Sequence, residues 1–341
     1  MANSPVLTTT PARIRSPSHR ARALRSPGVG EGDPLEELFA LGARLSNWGR
    51  WGADDERGAL NHIGPAQLVR AAQLVRAGKT ISLALPLRDG AGPQTGYIGR
   101  TNPVHVMTYT GDAPSGVSMG GTADFTDDLV VLSCQGSTQW DALSHLHYGG
   151  SLYNGFPAAT VTVEGSARAG IDKVHADLVG RGVLLDMARH FGVACCDPKR
   201  PILAEDLDDC AEQAGVSIET GDIVVVRTGA MTQVEGDDWS VFLRRQPGVH
   251  HSVATWLAEH EVAALVADNV QVEARSDVPG VVSPLHMLAI RDLGVHLGEL
   301  WFLEDLGDDC AADGVYEFFL AAQALPIVGG SGSPVNPVAV K

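Results

Sequence analysis

Gln135-Gly-Ser-Thr-Gln139-Trp-Asp141-Ala-Leu-Ser-His145-Leu-His147 decides how this chain is read, because it crowds polar side chains onto the exit of an apolar run that ends near Leu132. In a strand or tight turn, residues two and four apart point to the same side, so Gln139, Asp141 and Gln135 can converge on one small volume. His145 follows the aspartate by four residues and suits either of two roles, ligand or proton acceptor. A second cluster is Ser283-Pro-Leu-His286, with Glu299 thirteen residues further on in Gly298-Glu-Leu-Trp-Phe-Leu-Glu304. At 100° per residue that spacing turns through about 220°, so His286 and Glu299 cannot share one helical face and must come from different elements. Taken alone, each histidine is more often a hydrogen-bonded structural residue than a functional one.

The surrounding sequence bounds the fold. The chain has 341 residues, 44% of them hydrophobic and 19% charged, the composition of a globular protein with a large core. Short apolar runs at Ile81 to Leu85, Leu129 to Leu132, Gly182 to Leu185, Ile223 to Val226 and Ala263 to Ala267 read as strands buried on both faces. Helical periodicity at Pro65 to Ala77 places Leu68, Ala72 and Val75 on one face, with Gly78 as a C-cap. Other helical patterns lie around Val253 to Leu257 and after Pro201 and Pro284. The mixture predicts an α/β fold with a single catalytic domain over 35–330. It is preceded by a flexible basic tail over 1–34 and followed by a C-terminal tail over 331–341.

Several function classes are excluded. With 25 Lys and Arg against 41 Asp and Glu, the formal charge is -16, and so acidic a body repels phosphate backbones, so no nucleic acid is expected as partner. No stretch reaches the roughly 18 apolar residues of a membrane-spanning helix, so no membrane partner is expected. Five cysteines without a C-x-x-C pair suggest neither a zinc ribbon nor a disulfide framework, and a reducing cytoplasmic location fits.

The stretch from Gln135 to His145 resembles the signature of the cyclase superfamily, which includes kynurenine formamidases, isatin hydrolases and some polyketide ring cyclases and usually reads H-x-G-T-H-x-D-x-P-x-H. The resemblance extends to Trp51-Gly-Ala-Asp-Asp-Glu-Arg-Gly-Ala-Leu-Asn61, Leu152-Tyr-Asn-Gly155, Arg181-Gly-Val-Leu-Leu-Asp186, Gly221-Asp-Ile-Val-Val-Val-Arg-Thr-Gly229 and Ala267-Asp-Asn269. It implies a swivelling β/β/α cyclase-like fold, a divalent metal site, a homodimer or homotetramer, and hydrolysis of an amide or lactam in a small aromatic or heterocyclic substrate. The family's distal metal ligands fall on His286 and Glu299. Three positions depart from its pattern: Gln135 and Gln139 stand where histidines are usual, and Leu143 stands where proline is usual.

A carboxamide oxygen is a harder, weaker donor than an imidazole nitrogen, so the exchanges favour manganese, magnesium or a weakened zinc site held mainly by Asp141, His286 and Glu299, with Gln139 and Gln135 beside them. The alternative is a site that has lost its ion. With an ion present, a bound water acidified to a pKa of about 7 would attack the carbonyl, and His145 would serve as proton acceptor and then donor. His147 is a weaker substitute. His105, Trp140 and His147 are candidate substrate contacts, Trp140 by stacking, with packing under the loop as its other reading. Asp268 and Asn269 are expected to support metal ligands, the alternative being to cap a turn. Cys195 and Cys196 read as structural. The leading expectation is a metal-dependent hydrolase of the arylformamidase or isatin hydrolase kind acting on a small molecule; the rivals are a cyclase or dehydratase of specialised metabolites and a metal-free binding protein.

Overall fold

The computed structural model describes residues 33–94, 97–112 and 123–341, with the side chain of Tyr97 excepted. The strands are β1 (Thr80–Ser82), β2 (Val104–Tyr109), β3 (Asp127–Val131), β4 (Gln139–Asp141), β5 (Val161–Thr162), β6 (Gly165–Ser166), β7 (Val179–Asp186), β8 (Ile223–Arg227), β9 (Ala264–Ala267), β10 (His296–Glu299), β11 (Glu317–Ala321), β12 (Gly332–Pro334) and β13 (Val338–Val340). Nine of them form one sheet in the order β1-β13-β11-β7-β8-β9-β10-β4-β12. Its centre, β7 to β10, is parallel, while β11 and β13 on one side and β4 and β12 on the other pair antiparallel.

The apolar runs at the centre are continuous because both faces are covered. Val224 and Val226 of β8 enter one core with the helix Val253–Glu259, and Ile223 and Val225 enter the other with Trp140, Trp301 and Phe318. The same alternation divides β9, sending Leu265 and Ala267 one way and Ala264 and Val266 the other. The mixed α/β architecture is the one expected.

Three expectations are corrected. The run Leu129 to Leu132 is not buried on both faces: β3 pairs only with β2 in a separate ribbon, and Val131 is 60% exposed. The helix expected over Pro65 to Ala77 stops at Ala72, and its buried residue is Ala71 while Leu68 and Val75 face outward. The chain leaves the helix because the Ala77 and Lys79 amides both donate to the Lys341 carbonyl at the sheet edge, each at 3.1 Å. Residues 331–341 are no tail: β12 closes one side of β4 and β13 pairs with β1 and β11. The tail expected over 1–34 lies outside the described residues up to 32, and the helix Pro34–Leu45 begins just after it. No helix among the described residues is long and apolar enough to cross a membrane.

β4 is the strand that presents polar and apolar side chains to opposite faces. Gln139 and Asp141 face one side and Trp140 the other, where its indole meets Trp301 edge-on at 5.1 Å between centroids and donates to the Ala322 carbonyl at 2.7 Å. Opposite Trp140 on β10 stands Gly298, where a Cβ would lie 2.9 Å from Val266, 3.0 Å from the Trp140 ring and 3.0 Å from Trp301 Nε1. A side chain there would overpack a closed core. Gly298→Ala is therefore expected to destabilise the protein by about 1–3 kcal/mol, read as a lower denaturation midpoint at unchanged slope. An unchanged midpoint would show that this packing is loose.

Candidate metal centre

Glu299, the last residue of β10, lies directly opposite Gln139 on β4. The Gln139 Nε2 donates to Glu299 Oε2 at 2.7 Å. His286 arrives from another direction, on the first turn of a helix at Pro284–His286 that continues as a wider turn over Met287–Leu293. Its Nε2 lies 3.2 Å from Glu299 Oε1 and 3.8 Å from Asp141 Oδ2. One ligand atom from each of Asp141, His286 and Glu299 falls within 4.8 Å of the other two, and all three residues are buried. Helix and strand thus bring together the two residues that sequence spacing says cannot share an element.

The acceptors in this cluster lack donors. Both carboxylate oxygens of Asp141 and the Oε1 of Gln139 are buried without a hydrogen-bond partner. Three orphaned acceptor oxygens beside an imidazole nitrogen and a second carboxylate are a donor set for a divalent cation, since leaving them bare costs several kcal/mol and a hard ion satisfies them together. The residues fit such an ion.

Sequence reasoning did not single out Glu273. Its Oε1 accepts from His286 Nδ1 at 2.5 Å and from the His286 amide at 3.2 Å, and its Oε2 accepts from the Leu285 amide at 2.8 Å. One buried carboxylate therefore caps the helix and fixes the tautomer of His286, turning Nε2 toward Glu299 and Asp141. Two strained residues flank this arrangement: Val272, before Glu273, has φ 57° and Leu300, after Glu299, has φ 58°. A β-branched residue in the left-handed region is held there only by its surroundings. No local motif announces Glu273, because it reaches His286 from an irregular segment bridged to Val249.

Protonation follows burial. Desolvation raises Asp141 to about 6, with His145 opposing the rise and Glu299 adding to it. Burial pulls His286 down, but its hydrogen bonds to Glu273 and Glu299 outweigh that and hold it well above the ordinary histidine value. Without a cation, a proton on Nε2 thus bridges His286 to Glu299, and a cation would take that proton's place. His145 is lowered by burial against the attraction of Asp141.

His145 sits at the mouth of the cluster, its Nε2 3.6 Å from Asp141 Oδ1. Gln135 Nε2 lies 3.3 Å from His145 Nδ1 and 3.2 Å from Ser331 Oγ, so its amide nitrogen orients His145. The Ser331 hydroxyl serves either orientation of the carboxamide, so Gln135 accommodates both tautomers of His145. Above the cluster opens a cleft of about 260 Å³ lined by His145, His286 and Glu299 together with Arg100, Gln94, Gln271 and Ser283, and by apolar Pro93, Ile98, Leu146, Leu243, Val270 and Val282.

The three proposed substrate contacts fall elsewhere. Trp140 is fully buried on the far side of β4 and cannot stack on a ligand. His105 lies on the exposed ribbon, 2.7 Å from Asp128, and the glycine- and serine-rich loop after it is largely outside the described residues. His147 is exposed beyond the cleft lining. Asp268 supports no ligand of the cluster: it accepts from the amides of Thr228, Gly229 and Ala230 and from the Thr228 hydroxyl, closing the turn after β8. Asn269 donates to the Pro247 carbonyl. Cys195 and Cys196 have thiols pushed up by burial to about 11 and about 12, the inert character expected of structural cysteines.

Among the described residues a second group, His250, His251 and Asp277, has metal-like proximity. There the Ser252 amide donates to His250 Nδ1 at 3.2 Å, which keeps the proton on Nε2 facing Asp277 at 3.2 Å. That is an imidazole N–H hydrogen-bonded to a carboxylate, not a ligand presenting a lone pair.

Residues 81–274 match the family described as "Putative cyclase". A crystal structure of a novel cyclase is 41% identical to the chain, covers 88% of it and 99% of its own length, and superposes with a TM-score of 0.81. The chain belongs to this cyclase family. Isatin hydrolase A from Ralstonia solanacearum is 19% identical, with a TM-score of 0.58 over 80% of this chain and 95% of its own. An isatin hydrolase bound to the product analogue thioisatinate is 17% identical, with a TM-score of 0.55 over the same shares of the two chains. Both share the fold. No curated protein matches the chain in sequence.

Two measurements bear on this centre. Asp141 has a folded pKa raised from 3.8 to about 6, so without a cation its contribution to stability is present below about pH 4 and lost as pH rises through about 6, the window in which a cation gains an ionised ligand. Added Mn²⁺ should therefore raise Tm little near pH 5 and by a growing amount toward about pH 7.5, where a hundredfold excess over Kd stabilises the fold by about 2.7 kcal/mol. A shift independent of pH would exclude Asp141 as a ligand. Glu273→Gln should weaken Mn²⁺ binding by about 10–100-fold by calorimetry, and unchanged affinity would confine Glu273 to capping.

Proposed function

We propose that the protein is a metal-dependent hydrolase of a carbon–nitrogen amide or lactam bond in a small aromatic or heterocyclic substrate, of the arylformamidase or isatin hydrolase kind. The observation that carries this reading is the set of orphaned oxygens on Asp141 and Gln139 beside His286 and Glu299, at the floor of a cleft whose mouth holds His145. Isatin hydrolases, which share the fold, support the reaction class.

Asp141, His286 and Glu299 would hold the ion, with Gln139 Oε1 adjacent. A divalent ion bound there supplies Lewis acidity toward a carbonyl. The remaining work belongs to the chain. His145, kept largely neutral by burial, accepts a proton at Nε2 from the attacking water when Gln135 holds its Nδ1–H, and delivers that proton to the leaving nitrogen. Glu273 keeps His286 in one orientation throughout the cycle. The walls formed by Ile98, Leu146, Leu243 and Val270 accommodate a ring and exclude water.

The test is formate release from N-formylkynurenine and ring opening of isatin, with Mn²⁺ or Zn²⁺ supplied and metal content measured on the same protein. Turnover of one substrate is expected. His145→Gln should lower kcat by about 10²–10⁴-fold while metal content stays stoichiometric. Bound ion without turnover of either compound would transfer the reading to ring-forming chemistry, and protein that binds no divalent ion would overturn it.

A further inference from the structure

Among the described residues Arg100 is the one Lys or Arg lining the cleft. Its Nη1 donates to the Gln135 carbonyl at 3.4 Å, and among the described residues no carboxylate pairs with it. Other half-buried arginines behave differently: Arg57, Arg168, Arg181, Arg227 and Arg291 each meet an acidic side chain. A guanidinium has five donors in a planar fork, and among the described residues only the Gln135 carbonyl accepts from this one, which lines the cleft. Arg100 lines the same cleft as His145, His286 and Glu299, so its charge is presented to the space those groups share.

We propose that Arg100 is the anion-recognising residue of this cleft and that the substrate carries a carboxylate. This rests on the hydrolase reading and adds the charge of its substrate. The fork matches a planar carboxylate, with two parallel charge-assisted hydrogen bonds. One guanidinium balances the single charge of a carboxylate but only half that of a phosphate dianion. The anchor is also informative. Arg100 is held by the backbone of Gln135, whose side chain holds His145, so an acid group bound at the fork is placed at a fixed offset from the proton-transferring imidazole. The apolar walls then take the hydrocarbon body between the two polar ends.

The experiment compares anthranilate with aniline, two ligands that differ by the carboxylate and contain no amide to hydrolyse. Calorimetric titration in the presence of Mn²⁺ is carried out on the full chain, on Arg100→Gln and on Arg100→Lys. The unaltered protein should bind anthranilate at least about tenfold more tightly than aniline. Arg100→Gln should lose that preference with its aniline affinity unchanged, and Arg100→Lys should keep part of it. A second arm measures turnover of N-formylanthranilate against formanilide, where the carboxylate should lower KM in an Arg100-dependent way. Loss of turnover with the binding preference intact would defeat the hydrolase reading and leave Arg100 standing. Equal binding of the two ligands by the unaltered protein, or a preference that survives in Arg100→Gln, would overturn the role of Arg100 whatever the turnover.

Discussion

The carboxylate of Asp141 has been carried out of water with no hydrogen-bond donor on either oxygen, and the rest of the site is arranged around that fact. A bare, ionised carboxylate in such a place costs several kcal/mol, so it must be met by a proton or by a cation. What forces the burial is β4. The strand is paired on both sides, to β10 and to β12, and its other face carries Trp140 into the core with Trp301 and Phe318. Withdrawing Asp141 would require withdrawing Trp140, whose indole is fully buried and hydrogen-bonded. Apolar packing on one face of a three-residue strand thus sustains an electrostatically unfavourable group on the other.

The neighbours distribute charge so that, of the three carboxylates, only Asp141 is left unsatisfied. Glu299 is met by Gln139 and by His286, and Glu273 is met by His286 and two backbone amides. His286 therefore links two carboxylates, one toward the cleft and one behind it. The strain at Val272 and Leu300 lies beside these two carboxylates, where the backbone departs from regular strand geometry to aim their side chains. The packing that keeps those residues strained also holds the carboxylates to a narrow range of positions, which is what a site selecting one ion geometry requires.

The legible part of this molecule was whatever depended on period. The two-residue repeat of a strand placed Gln139 and Asp141 together, and the turn per residue of a helix excluded a shared element for His286 and Glu299. Continuous apolar runs marked β7, β8 and β9 correctly because helices and side chains cover both faces of the central sheet. The same rule failed at Leu129 to Leu132, since a run's composition says nothing about whether another layer lies over it. Trp140 was ambiguous for the same reason: an aromatic between two polar residues is either a ligand contact or the anchor for its neighbours, and the side of the strand decides. Glu273, β12 and β13 were illegible because their partners are far away in the chain, and long-range pairing leaves no local spacing.

The two glutamines look from sequence alone like losses, yet each carboxamide donates and accepts as a neutral imidazole does, without being able to titrate. An amide carries an N–H donor and a carbonyl acceptor at once, and neither titrates. Gln139 uses its donor to hold Glu299 and leaves its oxygen facing the same volume as Asp141, while Gln135 is spent on His145. Both exchanges are neutral for neutral, so the charge a cation must balance is still set by Asp141, Glu299 and the Glu273–His286 pair. What changes is the number of groups able to take up a proton. Near the cluster burial raises Asp141 and lowers His145, while the hydrogen bonds to Glu273 and Glu299 raise His286 against its burial. A site with fewer titrating members binds a cation with a simpler proton exchange, and its working pH range is governed by Asp141 at the acid end.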